Sequence, residues 1–237
     1  MKIFQRGFNF RQDGPGNRLV YHLQGCNMHC IWCSNPEGMN PDGGSDRSVD
    51  DIFDEISRSR MMFFSGGGVT FTGGEATLQH KELGELLKKC HEAGIHTAIE
   101  TNGTSVHLPE LLPFVDYLMM DFKHYDSEIL RRYTRVGNEI IKQNYEKICA
   151  MGRQYHVRIP LIREFNASDP ERDAERFASY FASADTTNVR FEFLPYHEYG
   201  KEKWKEEYLV KQGFVDKETI RIFRETFEKH GLPLIVT

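Results

Sequence analysis

The stretch GCNMHCIWCSNPEG, residues 25–38, carries three of the chain's five cysteines, Cys26, Cys30 and Cys33, in the spacing C-x3-C-x2-C. Thiols set this close together in a chain point to metal. A structural zinc site takes four ligands and usually brings them as two pairs, so zinc here has to borrow His22, His29 or a distant residue. No second cysteine pair follows. A [4Fe-4S] cluster normally takes four thiolates, one per iron. Three thiolates leave one iron open, and an open position is what a metal centre needs in order to bind a substrate. The other two thiols have packing explanations. Cys90 falls on an apolar stripe with Leu83, Leu86 and Leu87, and Cys149 extends one with Ile141, Tyr145 and Ile148.

Two further stretches have the types and spacing of a ligand site. In TFTGGEA, Gly73 and Gly74 follow a strand-like run and precede Glu75, a tight turn where backbone can approach a ligand and a carboxylate can meet a cationic group. A helix-start glutamate favoured by the helix dipole is the simpler reading of the same residues. ETNG (100–103) and MDFK (120–123) end two further strand-like runs, and carboxylates at the C-terminal ends of parallel strands are where α/β folds place their sites. Arg158 lies inside the apolar run HVRIPLI, where a guanidinium needs an anionic partner, either a ligand or a carboxylate such as Glu100 or Asp121.

These residues need a frame, and strand-like and helix-like segments alternate along the chain. The strand-like runs are 19–24, 69–74, 95–103, 115–123, 155–162 and 189–196, with 233–237 as a closing one. Between them lie helical patterns such as KELGELLKKCHEAG, which Gly94 can end. Alternation of this kind implies a parallel sheet covered on both faces. Residues 35–51 read as a polar, Gly-rich loop and 201–207 as the charged start of a helix. One domain, residues 1–237, accounts for the whole. A chain of this length buries roughly 70–75% of its unfolded surface, enough for a core without staples. A closed eight-stranded barrel takes about 250 residues or more, so six strands suggest a partial one.

A net charge of −5, from 30 basic and 35 acidic residues, leaves no broad cationic field for a nucleic-acid backbone. The first thirty residues hold no apolar run of signal-peptide or membrane length, so a cytoplasmic protein is expected. An odd, clustered set of cysteines fits that reducing compartment.

With the cysteine loop stand DGPGNR (13–18), SGGGVTFTGGEATLQ (65–79), ETNG, MDFK and LPYHEYGKEKW (194–204). In this order and spacing they resemble, over nearly the whole chain, the glycyl-radical-enzyme activating enzymes of the radical S-adenosylmethionine (SAM) superfamily, in the branch typified by pyruvate formate-lyase activase. Residues 34–89 contain no cysteine, so the chain lacks the ferredoxin-like insert of other activases, although SNPEG after Cys33 is closer to the insert-bearing ones. The resemblance implies an α/β fold, a partial (β/α)6 barrel of the TIM type, open at one side to a peptide loop. It implies anaerobic oxidoreductase chemistry: a [4Fe-4S] cluster on Cys26, Cys30 and Cys33 cleaves SAM reductively, and the resulting 5′-deoxyadenosyl radical takes hydrogen from a glycine of a partner enzyme. No general base or nucleophilic serine is called for.

The resemblance also assigns residues. Gly73, Gly74 and Glu75 hold the SAM amino group; Glu100, Asn102, Asp121, Lys123, Arg158 and His197 are expected around SAM; Glu100, Thr101, Met119 and Asp121 are expected around a monovalent cation. Glu100 departs from the family pattern, which has aspartate there. Trp32, between two of the cysteines, is expected to shield the cluster or to contact adenine. The implied partners are a glycyl radical enzyme as substrate and flavodoxin or ferredoxin as electron donor, with no nucleic acid and no membrane, and a monomer is expected. Two other readings stay open on the residues alone: a radical SAM enzyme acting on a small molecule, and a non-catalytic zinc or electron-transfer protein.

Overall fold

A computed structural model describes residues 1–235. The chain packs as two compact units, one made of Met1–Asn27 with Asn35–Met119 and the other of Met28–Ser34 with the residues from Met120 onward. The first contains β1 (Lys2–Phe10), β2 (Asn17–Leu23), β3 (Ser45–Asp46), α1 (Val49–Arg58), β4 (Gly68–Gly73), α2 (His80–Glu92), β5 (Thr97–Thr101), the short α3 (Leu108–Leu111) and the opening residues of β6 (Tyr117–Asp121). The second takes the end of β6, then α4 (Ser127–Thr134), α5 (Glu139–Ala150), β7 (Tyr155–Leu161), α6 (Arg163–Asn166), α7 (Pro170–Phe181), β8 (Val189–Pro195) and α8 (Lys217–Lys229). In the first unit the strand order is β3-β1-β2-β4-β5 with β6 next, and in the second β6 is followed by β7 and β8. Among the described residues the eight strands make an open, mostly parallel α/β sheet, not a closed barrel.

The parallel strands β2 and β4 are covered on both faces. All but one residue of β2 is buried, and β4 is buried from Gly68 to Thr72. Register follows: Leu19 faces Val69 and Tyr21 faces Phe71 across the β2–β4 ladder. The helices are capped by the residues their sequences offer. Ser48 accepts from Asp51 N at the start of α1, Asp126 from Glu128 and Ile129 N at α4, and Asp216 from Thr219 N at α8. Gly94, at φ +66°, takes the left-handed turn after α2 that a side chain resists. The core of the second unit is aromatic: Phe181 lies 4.8 Å from Phe122 and 4.7 Å from Phe191 between ring centroids, and Phe191 meets Phe227 edge-on at 5.5 Å.

Arg18 of the DGPGNR motif is fully buried. Its guanidinium donates to Thr70 Oγ1 and to the carbonyls of Pro15, Val69 and His96, and burial pulls its pKa down to about 10.

Three expectations from the sequence need correction. Strand β1 was not among the strand-like runs: it pairs antiparallel with β2, and its middle residues are exposed, so no buried stripe marks it. Residues 35–51 are not loop throughout, because a 3-10 turn (Pro36–Gly38), β3 and the start of α1 lie within them. Residues 201–207 do not begin a helix: one 3-10 turn (Lys201–Lys203) gives way to extended backbone at Trp204. The segment offers no apolar stripe to bury. Of the closing run 233–237, Leu234 makes a single parallel bridge to Phe191, and Val236 and Thr237 lie outside the described residues. Among the described residues no helix is long and apolar enough to cross a membrane.

Cys90 is fully buried on α2, and burial pushes its thiol up to about 12, so it packs as a neutral small hydrophobe. Cys90→Ala should lower stability by about 1–2 kcal/mol and leave metal content unchanged. A thermal melt with an iron assay checks this, and an iron-free Cys90 variant would end the division of the cysteines into two classes.

Candidate functional site

In the first unit the chain leaves β2 at Leu23 and turns through Gly25, at φ +96°, into Cys26. Gly25 N donates to Gly38 O at 2.8 Å and Cys26 N to Met39 O at 3.2 Å, so the start of the cysteine loop is tied to the segment that follows it. The Gly-Gly-Glu turn lies directly on this start. Gly74 N donates to Leu23 O at 2.9 Å and Glu75 N to Gly25 O at 2.7 Å. A Cβ at Gly73 would sit 2.3 Å from Leu23 N, and one at Gly74 would sit 2.2 Å from Gly25 O. Both positions therefore require glycine because backbone packs on backbone.

The Glu75 side chain turns inward. Its Oε1 accepts from Thr77 N, Thr77 Oγ1 and Thr101 Oγ1 at 3.0, 2.5 and 2.6 Å, and its Oε2 accepts from Asn102 N at 2.7 Å. Burial raises its pKa and these donors offset only part of the rise. The carboxylate thus fastens the Gly-Gly-Glu turn to the end of β5. Of the expected cation ligands in this unit, Thr101 gives its hydroxyl to Glu75, Glu100 accepts from Thr72 Oγ1 at 3.0 Å, and Met119 is buried.

Asn102 stands next to Cys26. Its Nδ2 lies 3.9 Å from Cys26 Sγ and 3.1 Å from Asn27 Oδ1.

The second unit holds the rest of the cysteine loop. His29 N and Ile31 N donate to Thr134 O and Tyr133 O at the end of α4, at 2.8 and 3.3 Å, and Cys33 N closes a turn on Cys30 O at 3.1 Å. Trp32 packs on Phe165, ring centroids 4.5 Å apart, and more loosely on Tyr133 at 6.5 Å. Trp204 of LPYHEYGKEKW donates its indole N–H to Cys33 O at 3.0 Å, and a Cβ at Gly200 would reach within 2.4 Å of the Ser34 backbone. The segment after β8 therefore latches the loop. Gly200 and Trp204 are not among the expected site residues, and the stretch LPYHEYGKEKW that holds both is the signal for them in the sequence.

The charged cluster of this unit is Asp121, Lys123 and Arg158. Lys123 Nζ donates to Asp121 Oδ2 at 2.7 Å, and Arg158 Nε stands 3.7 Å from Asp121 Oδ1. Burial works against both members of the first pair. Even so, Lys123 and Arg158 hold the Asp121 carboxyl below the usual range, and Asp121, Cys30 and Cys33 hold the Lys123 ammonium above the ordinary lysine value. Arg158 thus has its carboxylate partner in Asp121. His197 is exposed and stacks on Tyr199, centroids 4.2 Å apart.

The donor set suits an iron–sulfur cluster. Three soft sulfur donors sit on one eight-residue stretch; two feel the Lys123 ammonium and the third has an amide N–H beside it, and both settings favour thiolate. Among the described residues no three His, Cys, Asp or Glu side chains converge on one ion-sized position. A cluster ligated at three different irons asks for no such convergence.

The comparisons with known proteins agree in kind. The sequence model of the Radical SAM superfamily matches residues 20–177. Pyruvate formate-lyase 1-activating enzyme of Escherichia coli (strain K12) is 34% identical over 230 residues, covering 92% of each chain. Pyruvate formate-lyase-activating enzyme of Clostridium pasteurianum is 32% identical over 195 residues, 81% of each chain. Among solved structures, a domain of pyruvate-formate lyase-activating enzyme from Bacteroides vulgatus ATCC 8482 superposes with a TM-score of 0.60 at 28% identity, covering 73% of this chain and 99% of that one. Streptococcus suis SuiB bound to S-adenosylmethionine shares the fold, with a TM-score of 0.70 at 14% identity over 92% of this chain and 49% of that one. The chain therefore belongs to the radical SAM superfamily and, within it, to the pyruvate formate-lyase activating enzymes, glycyl-radical-enzyme activases that work with a [4Fe-4S] cluster and SAM.

Proposed function

We propose that this chain activates pyruvate formate-lyase or a closely similar glycyl radical enzyme in the cytoplasm, as a monomeric single radical SAM domain of residues 1–237, with flavodoxin or ferredoxin as electron donor. The observation that carries the reading is the chemistry around the cysteine loop: Cys26 beside the Asn102 amide, Cys30 and Cys33 in the field of Lys123. The names of relatives that match this chain along 92% of its length support the partner.

When bound, the cluster and SAM together supply a 5′-deoxyadenosyl radical that takes a hydrogen atom from glycine. The protein's own residues bind and orient. Cys26, Cys30 and Cys33 hold the cluster. Glu75, fastened to Thr101 and Asn102, keeps the Gly73–Gly74 backbone in place for the SAM amino group. Lys123 and Arg158, both against Asp121, are the cationic groups this reading assigns to the SAM carboxylate. Trp32, packed on Phe165, keeps water from the loop. Glu100 and His197 enter the SAM site in this reading on the family resemblance alone. Of the residues that the resemblance assigns to a monovalent cation, Thr101 donates its hydroxyl to Glu75 and Asp121 accepts from Lys123 through Oδ2.

The test is anaerobic. The protein is reconstituted with iron and sulfide, reduced with dithionite, given SAM, and assayed for 5′-deoxyadenosine and for a glycyl radical on added pyruvate formate-lyase by electron paramagnetic resonance. Cleavage with no radical on the partner would redirect the reading to a small-molecule substrate. Bound zinc in place of iron would end it.

Glu75→Gln turns one carboxylate oxygen into an N–H₂ group facing donors. It should cost about 2–3 kcal/mol of stability and weaken SAM binding by roughly tenfold, with the cluster retained. Thermal melting and equilibrium SAM binding check this; unchanged affinity would take Glu75 out of the site.

A further inference from the structure

The side chain of Asn102 has every hydrogen-bonding group engaged, and one engagement faces the cysteine loop. Its Oδ1 accepts from Thr104 N at 3.0 Å and from Thr104 Oγ1 at 2.6 Å. A backbone N–H can only donate, so the amide orientation is fixed: oxygen toward Thr104, nitrogen toward the loop. The two N–H groups of Nδ2 then go to Asn27 Oδ1 at 3.1 Å and Cys26 Sγ at 3.9 Å. Asn27 Nδ2 closes the ring by donating to Thr104 Oγ1 at 2.7 Å. The residue is 7% exposed, so water competes little for these contacts.

We propose that Asn102 is a positioning residue for the cluster: by donating from Nδ2 to Cys26 Sγ it orients that ligand and raises the reduction potential. The inference rests on the cluster reading of the three cysteines. An N–H donor to a ligand sulfur withdraws electron density from it, which stabilises the more negative, reduced state. Asn102 also links two parts of the site. Its backbone N–H donates to Glu75 Oε2 at 2.7 Å while its side chain reaches Cys26, so the segment assigned to SAM and the first cluster ligand share one residue.

The experiment compares reconstituted wild type with Asn102→Asp, Asn102→Leu and Thr104→Ala, measuring iron per chain, apoprotein melting temperature, the cluster's midpoint potential and the spectrum of the reduced cluster. Asn102→Asp keeps an acceptor for Thr104 and loses the donor; Asn102→Leu loses the donor without adding charge. Both should shift the midpoint potential downward and alter the spectrum, whereas Thr104→Ala, which keeps Nδ2, should hold the wild-type potential. Wild-type potential and spectrum in both Asn102 variants, with occupancy alone reduced, would overturn the proposal. If an Asn102 variant holds no cluster, an unchanged apoprotein melting temperature supports positioning of Cys26, and a collapsed one assigns Asn102 to the fold and overturns it. A wild-type protein that takes no iron–sulfur cluster fails the functional reading itself, and that failure shows before any variant is made.

Discussion

Alanine at Cys26, Cys30 or Cys33 is expected to abolish cluster assembly and to bring SAM cleavage below about a hundredth of wild type, since removing even a partner of a metal ligand typically costs 10–100-fold. Each cysteine is a third of the donor set, and His29, the nearest substitute in the sequence, already packs its ring edge-on to Trp204 at 6.2 Å. Iron and sulfide analysis with 5′-deoxyadenosine detection reads the result. A variant with full iron content and full turnover would show that the replaced cysteine is not a ligand. The contrast with Cys90→Ala makes the measurement decisive, because both substitutions remove one thiol and only one class should remove iron.

Asp121→Ala should be among the most destabilising single changes in the chain. Lys123 is buried, Arg158 is largely so, and removing the carboxylate that both face takes from the Lys123 ammonium its ion-pair partner, at a cost of about 3–5 kcal/mol. For a chain of this size that is a fall of roughly 10 °C in melting temperature. The pH dependence has a definite sign. The folded pKa of Asp121 is depressed, so its stabilisation is present above the unfolded carboxylate value of about 4 and is lost as pH falls through the lower folded value. The gap between wild type and Asp121→Ala should close in acid. Adding Lys123→Met to Asp121→Ala should recover part of the loss, and equal melting temperatures for wild type and Asp121→Ala would dismiss the pair as a source of stability.

Much of the frame was legible because burial leaves a mark on composition. The runs that became β2, β4, β5, β6 and β7 are buried along most of their length, β8 opens on an alternation of buried Val189 and Phe191 with Arg190 and Glu192, and the stripes with Cys90 and Cys149 lie on α2 and α5. Strand β1 escaped because its exposed middle, Gln5 to Phe8, shows no buried period. The segment 201–207 misled because lysine and glutamate favour helices in isolation, while Trp204 is drawn to the Cys33 carbonyl, 171 residues away in the chain.

Residue types and spacing by themselves determined the chemistry on offer: three thiols on one loop, a Gly-Gly-Glu turn, carboxylates at strand ends, and through their order the resemblance to a family. Only the tertiary structure decided what each side chain faces. The Glu75 carboxylate is taken by Thr77, Thr101 and Asn102, the glycines before it are required by backbone contact, and Arg18 is interior. The reason is that a ligand's identity depends on which atoms it carries, which the chain spells out locally. A buried polar group's role depends on which partner satisfies it, and that partner comes from a remote segment brought near by packing.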